Sequence, residues 1–461
     1  MPPKPTASWP VLLCSFVAAF CAAAAEPINI PIFLGHRGST IVEDRRRYDQ
    51  NLTPNQRRAT IPIDNNNGSD EGLYYLTLSI GTPAQQFRFE VDLESPYSWV
   101  ADISCTTGCI DFLELYNHSG SSTVTQISTG DIIHYGWANV SGNFVKDIVR
   151  LGPYTAQSQF FLAANKLSPD VPWAAVGILG LAYLQTAQGP SLPMSLFLDS
   201  QGQVALADMS FWLNRPCTAE YCSSLVGGAF TYGGTNTSLY QGEIDFLPTT
   251  GSSNASTWNL DVKGIIVQGT SVQITPGTSA LSAFSLMSVN ISGPALDVAA
   301  IWAAVPGSVS STTHSGYYEF PCSTSVSVSI SFGGRMWPID PADMNLGPVE
   351  GSYSQCLGAI YTASNTTKSN GTANWIFGTV FMRNVYSVFR PSPFSIGFAE
   401  LSSQSSNTNS RSTRWKQIVG PTVGIVGFAI LMVWGNSKNS GTVVHRAPEY
   451  FVEVFPSQWA A

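Results

Sequence analysis

Residues 75–100 read YLTLSIGTPAQQFRFEVDLESPYSWV, and this stretch decides how the rest of the chain is interpreted. Its first residues, 75–80, alternate polar and apolar side chains, a pattern typical of a β-strand. Similar short runs, such as residues 326–332, recur along the chain and are separated by Gly, Pro, Ser and Asn. The clearest helical pattern begins at Pro294 and ends before Pro306. The sequence therefore predicts an all-β fold.

The same stretch resembles the pepsin-like aspartic protease family, whose pattern here is G-T-P-x-Q-x-F-x-x-x-x-D-T-G-S-S-x-x-W-V. The residues that match include Gly81, Thr82, Pro83, Asp92, Ser95 and Trp99. The resemblance extends over residues 73–401 and implies a bilobal, pepsin-like double β-barrel with a cleft between the lobes. The N-lobe is expected at about 71–212 and the C-lobe at about 213–401. The resemblance also implies that Tyr135 belongs to a flap that closes over an extended peptide, and that Ser95 hydrogen-bonds a catalytic carboxylate.

The chemistry of this family needs two carboxylates, one from each lobe, that share a proton. The first D-T-G loop reads Asp92-Leu93-Glu94-Ser95, so the aspartate remains while its neighbours differ. Spacing in the family aligns Ser285-Leu286-Met287-Ser288 with the second loop, and an alternative alignment uses residues 275–279. Neither contains an acid, and no Asp or Glu stands between Asp261 and Asp297.

The missing acid has a direct consequence for function. A lone carboxylate cannot act as acid and base in one step, so we predict a catalytically inactive homologue that binds a peptide or protein in its cleft. Two alternatives remain open, an active acid endopeptidase and a structural surface glycoprotein. Leu93 and Leu286, in place of the paired threonines, are expected to form an apolar contact between the lobes. Glu94 and Met287 are expected to crowd the positions of the family's glycines.

Cysteine spacing indicates an oxidising compartment, because six cysteines remain after a predicted signal peptide. The expected disulfides join neighbours in the sequence: Cys105 with Cys109, Cys217 with Cys222, and Cys322 with Cys356. The histidines show no spacing typical of a metal site, so we expect neither metal nor cofactor. The net charge of -8 excludes a nucleic-acid partner. We expect a monomer.

The ends of the chain predict a membrane-anchored protein. Residues 1–25 have the pattern of a signal peptide, and residues 26–70 that of a propeptide or disordered arm with a processing site at Arg57-Arg58. A Ser/Asn-rich linker at 402–417 precedes an apolar segment at 418–434, which we interpret as a single transmembrane helix, and a cytosolic tail at 435–461. Cell-surface or secretory-pathway membranes are the expected location. Nine glycosylation sequons precede the linker: Asn51, Asn67, Asn117, Asn139, Asn236, Asn254, Asn290, Asn365 and Asn370.

Overall fold

The computed structural model describes the backbone of residues 28–34, together with residues 74–109, 114–135, 138–169, 171, 176–182, 207–215, 226–250, 258–362 and 373–402. The chain divides into two compact units, residues 1–406 and 407–461, and all the described residues belong to the first. Several predictions fall outside the described residues: the signal peptide, the cysteines Cys217 and Cys222, the segments from residue 403 onward, and the sequons at Asn51, Asn67, Asn254, Asn365 and Asn370.

The described residues form mostly β-strands, as the alternating runs predict. The strands in the first half of the chain are β1 (Ile28–Leu34), β2 (Tyr74–Ile80), β3 (Gln85–Asp92), β4 (Trp99–Ala101), β5 (Thr125–Gln126), β6 (Asp131–His134), β7 (Asn139–Leu151), β8 (Tyr154–Leu167), β9 (Gly177–Gly180), β10 (Met209–Leu213) and β11 (Val226–Tyr232). The second half has β12 (Tyr240–Pro248), β13 (Asn259–Asp261), β14 (Gly264–Val267), β15 (Thr270–Val272), β16 (Leu281–Phe284), β17 (Ile291–Gly293), β18 (Val309–Ser310), β19 (Tyr318–Pro321), β20 (Val328–Ser331), β21 (Met336–Ile339), β22 (Asn345–Pro348), β23 (Gln355–Gly358), β24 (Ile360–Thr362), β25 (Trp375–Phe377), β26 (Tyr386–Pro391) and β27 (Phe394–Leu401).

Two α-helices lie among the described residues, α1 (Ala295–Ala303) and α2 (Thr379–Met382). Helix α1 is the one that the sequence predicts. Pro294 caps its start with an extended backbone, which suits a residue that cannot donate a helical hydrogen bond. Val298, Ile301 and Trp302 form its buried face, so the helix is fixed by packing against the C-lobe.

The strands assemble into one large sheet and three small ones. The large sheet has the spatial order β12-β27-β26-β10-β11-β1-β2-β3-β9-β4-β8-β7-β5, with β6 paired to β7. The small sheets have the orders β13-β16-β25-β17-β24, β15-β14-β20-β21 and β18-β19-β23-β22. The N-lobe thus lies on one end of the large sheet, and most of the C-lobe is made of the small sheets.

The centre of each lobe repeats one strand arrangement. In the N-lobe, β9 lies between β3 and β4, parallel to the first and antiparallel to the second, and β8 is parallel to β4. In the C-lobe, β25 lies between β16 and β17 with the same two directions, and β24 is parallel to β17. The loop from β3 to β4 therefore corresponds to the loop from β16 to β17.

Strand β1 corrects part of the prediction for residues 26–70. Residues 28–34 pair with β11 over most of their length and with the start of β2. This stretch is therefore not a disordered arm, because its backbone groups take part in the central sheet. The polar composition around it concealed a run of seven residues, INIPIFL, in which only Asn29 is polar. A propeptide remains a prediction, and cleavage at Arg57-Arg58 would break the chain between β1 and β2.

Two of the predicted disulfides lie in the described residues and are present. Cys105 is bonded to Cys109 and Cys322 to Cys356, with Cα–Cα distances of 6.0 and 5.0 Å. The second bond lies between β19 and β23, which pair directly. Among the described residues, no helix is both long and apolar enough to cross a membrane.

The two lobes are connected through side chains as well as through the large sheet. The indole nitrogen of Trp258 donates to the Leu181 carbonyl at 3.1 Å, and both residues are buried. The Trp258 ring also packs edge-on against Phe389 of the large sheet, 5.4 Å between centroids. Leu181 in turn donates its N–H to the Asp92 carbonyl at 2.7 Å. The first predicted catalytic loop is thus tied to the C-lobe.

Candidate active site

Strand register places Asp92 and Ser285 at corresponding points of the two lobes. Asp92 is the last residue of β3 and lies directly beside Gly180 of β9. Phe284 ends β16 beside Phe377 of β25, so one further step brings Ser285 beside Gly378. The Ser285 N–H donates to the Phe377 carbonyl at 3.1 Å, which continues the ladder to this residue.

The two glycines lie against the backbones of the two loops. A Cβ atom on Gly180 would lie 2.5 Å from the Tyr97 carbonyl oxygen, and one on Gly378 would lie 2.5 Å from that of Asn290. Real side chains do not tolerate such contacts, so only glycine allows each loop to close over its strand. The shared device supports the alignment of Ser285-Leu286-Met287-Ser288 with the second loop.

The alternative alignment of the second loop, through residues 275–279, places it outside the strand arrangement that the two lobes share. Residues Gly277–Ala280 form a 3₁₀ turn that precedes β16 and therefore the whole strand arrangement. Thr275 donates its N–H and its hydroxyl to the Asp297 carboxylate of α1, at 3.1 and 2.7 Å. This segment fixes the helix and lies before the second loop.

The Asp92 carboxylate is buried and held by the backbone of its own loop. Its Oδ1 atom accepts the N–H groups of Glu94 and Ser95 at 2.7 and 3.1 Å. Burial raises the pKa of Asp92 to about 6, and the two N–H groups oppose that rise because they favour the charged form. Ser95 thus hydrogen-bonds the carboxylate, as expected, and does so through its backbone amide. The Ser95 hydroxyl accepts the N–H of Tyr97 at 3.2 Å.

The residues that follow Asp92 and Ser285 are accommodated in the fold, although they differ from those of the family. Leu93 and Leu286 are both buried and belong to one continuous apolar core, and a direct contact between them stays a prediction. Glu94 is exposed, so its side chain is turned to solvent rather than crowded into the site. Gln268 is the only non-glycine residue with positive φ that the structure describes, so Glu94 needs no glycine-like backbone. The expectation of steric disorder at Glu94 is therefore wrong. Met287 is half-buried and packs against the core.

Tyr135 lies at the tip of a hairpin and close to the Asp92 charge. Strands β6 and β7 pair from Asp131 to His134, and the Tyr135 N–H donates to the Ala138 carbonyl at 2.8 Å. Burial raises the pKa of Tyr135 well above its usual range, and the negative charge of Asp92 acts in the same direction. Interactions with the Ser95 hydroxyl and the Trp99 indole act against the rise. Because these groups all act on the Tyr135 hydroxyl, Tyr135, Ser95 and Asp92 lie close together, as the flap prediction requires.

A second buried acid, Glu90, lies on the same strand and was missed in the sequence. It is 4% exposed, and burial, with the charge of Asp92 as a smaller cause, raises its pKa to about 8. Its Oε1 atom has no hydrogen-bond partner among the described residues. The alternation along β3 was a signal that could have identified this acid. Residues 87, 89 and 91 are apolar and project from one face of the strand, whereas Glu90 projects from the opposite face together with Asp92.

Two further positions differ from the family, where aspartate is usual, and their surroundings differ from each other. Arg390 forms a two-nitrogen ion pair with the buried Asp208, at 3.1 and 3.0 Å to Oδ2, and its guanidinium lies 3.7 Å from the centre of the Phe246 ring. Thr379 is fully buried, and its hydroxyl has no partner among the described residues. The Arg390 substitution therefore has its own compensating acid, and nothing in the structure explains Thr379.

The comparisons with known proteins agree with this geometry. The family description "Eukaryotic aspartyl protease" matches residues 73–401, and the chain belongs to this family of pepsin-like aspartic proteases. A similar protein is the major aspartyl peptidase 1 of Cryptococcus neoformans var. grubii, 32% identical over 80% of this chain and 77% of its own length. An aspartic protease of Phaffia rhodozyma is 27% identical over 83% and 89% of the two chains. Cathepsin D of Dictyostelium discoideum is 28% identical over 84% and 98%.

Proposed function

We propose that this protein is a catalytically inactive member of its family that binds an extended peptide or protein segment in the cleft. The observation that carries the proposal is the relation between the two loops. Asp92 ends the first strand beside Gly180, and the corresponding position beside Gly378 is Ser285. A serine hydroxyl cannot hold or supply the proton that the second aspartate supplies in the family, because its pKa lies far outside the working range.

The features that bind a peptide in this family do not depend on the second acid. The hairpin that ends at Tyr135 is formed, and its aromatic ring packs against the core beside the first loop. An extended peptide in the cleft would meet this ring and the loop backbone, which offer apolar contact and hydrogen bonds without bond cleavage.

A protease assay tests the loss of chemistry. The full chain would be incubated with a mixed peptide library between pH 3 and 6, with and without pepstatin, beside the variant Asp92→Ala. Parent and variant are expected to give the same background, because general acid and base catalysis contribute about 10² to 10⁴ in rate each and neither operates here. Cleavage by the parent that disappears in Asp92→Ala, or with pepstatin, would establish an enzyme. Binding of the same peptides separates a binding module from a structural surface glycoprotein.

An active acid endopeptidase is the second candidate, and Glu90 is the observation in its favour. Near pH 7 the raised pKa of Glu90 keeps this acid neutral while Asp92 is mostly charged, and such a split is typical of acid–base pairs. The relatives from Cryptococcus and Phaffia carry peptidase and protease names. Both carboxyls come from one strand of the N-lobe, however, so they do not face each other across the cleft.

For location, we propose a cell-surface or secretory-pathway membrane, with residues 418–434 as a single-pass anchor. The predicted signal peptide, the sequons before the linker and the apolar segment support this arrangement. On intact cells, added protease is expected to remove the folded domain, and an antibody to residues 435–461 is expected to stain only after permeabilisation. Staining of intact cells by that antibody would reverse the topology.

A further inference from the structure

Glu90 lies in a row of side chains on the Asp92 face of the N-lobe. It is directly opposite Tyr75 of β2 and Ile178 of β9, and Ile178 is directly opposite Trp99 of β4. Residues directly opposite each other on neighbouring strands project from the same face of a sheet. Residues two apart on one strand do so too, so Asp92 projects from this face beside Glu90.

The Glu90 carboxyl forms no ion pair with the residues that the structure describes. Its Oε1 atom has no hydrogen bond among the described residues, and the side chain is 4% exposed. Arg88 precedes it on the same face, but the Arg88 guanidinium lies over the Tyr75 ring, 5.7 Å from its centre. No ion pair joins Arg88 to Glu90 in the part of the chain that the structure describes. Asp92, the neighbour whose charge Glu90 feels, is itself an acid.

Burial of an unpartnered carboxyl is costly, and a bound cation would offset that cost by accepting a place beside it as the missing partner. We propose that Glu90 and Asp92 together bind the cationic tip of a lysine or arginine side chain of the peptide in the cleft. The inference rests on the proposed binding function and names the class of residue that the site selects. Two carboxyls on one face can both accept hydrogen bonds from a single ammonium or guanidinium group.

The residues around Glu90 and Asp92 offer apolar and aromatic contacts to the rest of a lysine or arginine side chain. Ile178 is buried beside Glu90 and offers apolar contact to a methylene stem. The Trp99 indole and the Tyr135 ring lie near Asp92, and aromatic faces attract a desolvated cation. A neutral polar side chain would gain neither the charge attraction nor the ring contact.

Binding of a cation also has a proton balance that can be measured. At pH 6 to 7 Glu90 carries its proton, and pairing with a cation favours the carboxylate. The proton then passes from Glu90 to the buffer as the ammonium binds. Basic peptides should therefore release protons on binding and bind more tightly as the pH rises from 5 to 7. Peptides with a neutral residue at the same position should do neither.

Calorimetric titration of the full chain tests this. The probes are octapeptides of Ala, Val, Leu and Phe that carry Lys, Arg, Gln or Leu at one central position, scanned along the peptide. Lys and Arg peptides are expected to bind at least tenfold more tightly than the Gln peptides, and Glu90→Gln should remove this preference. Glu350→Gln is the matched control, because it makes the same Glu-to-Gln replacement at an exposed acid in the C-lobe.

The outcomes separate this inference from the function on which it rests. Equal affinity for Lys and Gln peptides would overturn the cation site while leaving peptide binding intact. Absence of binding by every peptide would overturn both. Proton release by the parent, from heats in two buffers of different ionisation enthalpy, needs no variant and remains decisive should Glu90→Gln not fold. Equal proton release with Lys and Gln peptides would contradict the inference.

Discussion

Glu90 and Asp92 project from one face of β3, two residues apart, and both carboxyls are almost completely removed from solvent. Burial is the main cause that raises both pKa values, to about 8 for Glu90 and about 6 for Asp92. In the unfolded chain both groups have lower pKa values and lose their protons first, at about pH 4 to 4.5. The folded protein therefore holds protons that the unfolded chain has released.

This difference predicts that stability falls as the pH rises. Because the native state binds more protons, the free energy of unfolding decreases from about pH 4 to pH 8, with a limit on the order of 1.4 kcal/mol per pH unit for each group. Asp92 contributes to this decrease in stability up to about pH 6, and Glu90 contributes up to about pH 8, because each group then loses its proton in the folded state as well. Urea unfolding of the full chain at a series of pH values measures the slope. Glu90→Gln should flatten it between pH 6 and 8, whereas Glu350→Gln should leave it unchanged. A stability that rises over this range would contradict the burial of the pair.

Restoring the second carboxylate alone is not expected to restore catalysis. Ser285→Asp places an acid at a site that is 5% exposed, but Leu93 and Leu286 still fill the positions of the hydroxyls that hold the two loops together. Substitutions that recreate D-T-G in both loops are expected to give pepstatin-sensitive cleavage of the library at acid pH. The single variant is the control for the combined one. Activity of Ser285→Asp alone would mean that the leucines do not misplace the carboxylates.

How much of this site the sequence predicts depends on how local each signal is. Asp92 and the flap residue Tyr135 stand in short motifs, and the resemblance of those motifs to the family located both residues. Ser285 needed the family spacing across the C-lobe, and the register beside Gly378 supports it. Glu90 escaped notice because no family position called attention to an acid there, and its burial depends on strands β2 and β9.

Contacts between residues that are far apart in the sequence were the hardest features to predict from the sequence. Strand β1 was overlooked because its partner, β11, lies about two hundred residues away and the segment that follows β1, residues 35–70, is mostly polar. Arg390 stands where aspartate is usual in the family, and its partner Asp208 is 182 residues distant in sequence. Such pairs follow from the assembled sheet, since pairing of β10 with β26 brings the two segments together.

The Arg390–Asp208 pair is expected to contribute to stability. Asp208 is buried, and the Arg390 side chain is 25% exposed, so Arg390→Ala leaves a buried carboxylate without its cation. We expect a loss of about 2 to 4 kcal/mol in the free energy of unfolding. Lys263→Ala breaks the exposed pair with Asp261 and should cost less than about 1 kcal/mol. Chemical denaturation of both variants checks the contrast, and equal losses would show that burial does not distinguish the pairs.

The two disulfides of the described residues are expected to differ in how much they stabilise the fold. Loop-closure entropy grows with the length of the closed loop, and the sequence separations are 34 for Cys322–Cys356 and 4 for Cys105–Cys109. Replacement of each pair by serine is therefore expected to cost roughly 4 kcal/mol for the first and roughly 2 kcal/mol for the second. Thermal unfolding ranks the variants. Non-reducing peptide mapping of the parent should also find Cys217 joined to Cys222, and any cross-pair would contradict the predicted framework.

The sequons offer a test that depends on single side-chain atoms, since a glycan is attached to the amide nitrogen of asparagine. Asn117 and Asn139 are exposed, and their hydrogen bonds within the fold use the Oδ1 atom, which leaves Nδ2 available. Asn290 is different, because its Nδ2 atom donates to the Tyr317 hydroxyl at 3.0 Å and its Oδ1 atom is buried. Ser292, the third residue of that sequon, is 2% exposed within β17.

We therefore expect a secreted form of the chain to carry glycans at Asn117 and Asn139 and to leave Asn290 unmodified. A glycan on Nδ2 of Asn290 would have to displace the Tyr317 contact and open the edge of the second loop. Mass spectrometry of glycopeptides, with enzymatic release in water enriched in oxygen-18 to mark each occupied asparagine, gives the occupancy directly. Asn117→Gln should remove one glycan from the total, and Asn290→Gln should remove none. Substantial occupancy at Asn290 would mean that the glycan is added before β17 packs and that the loop beside Ser285 adopts another arrangement.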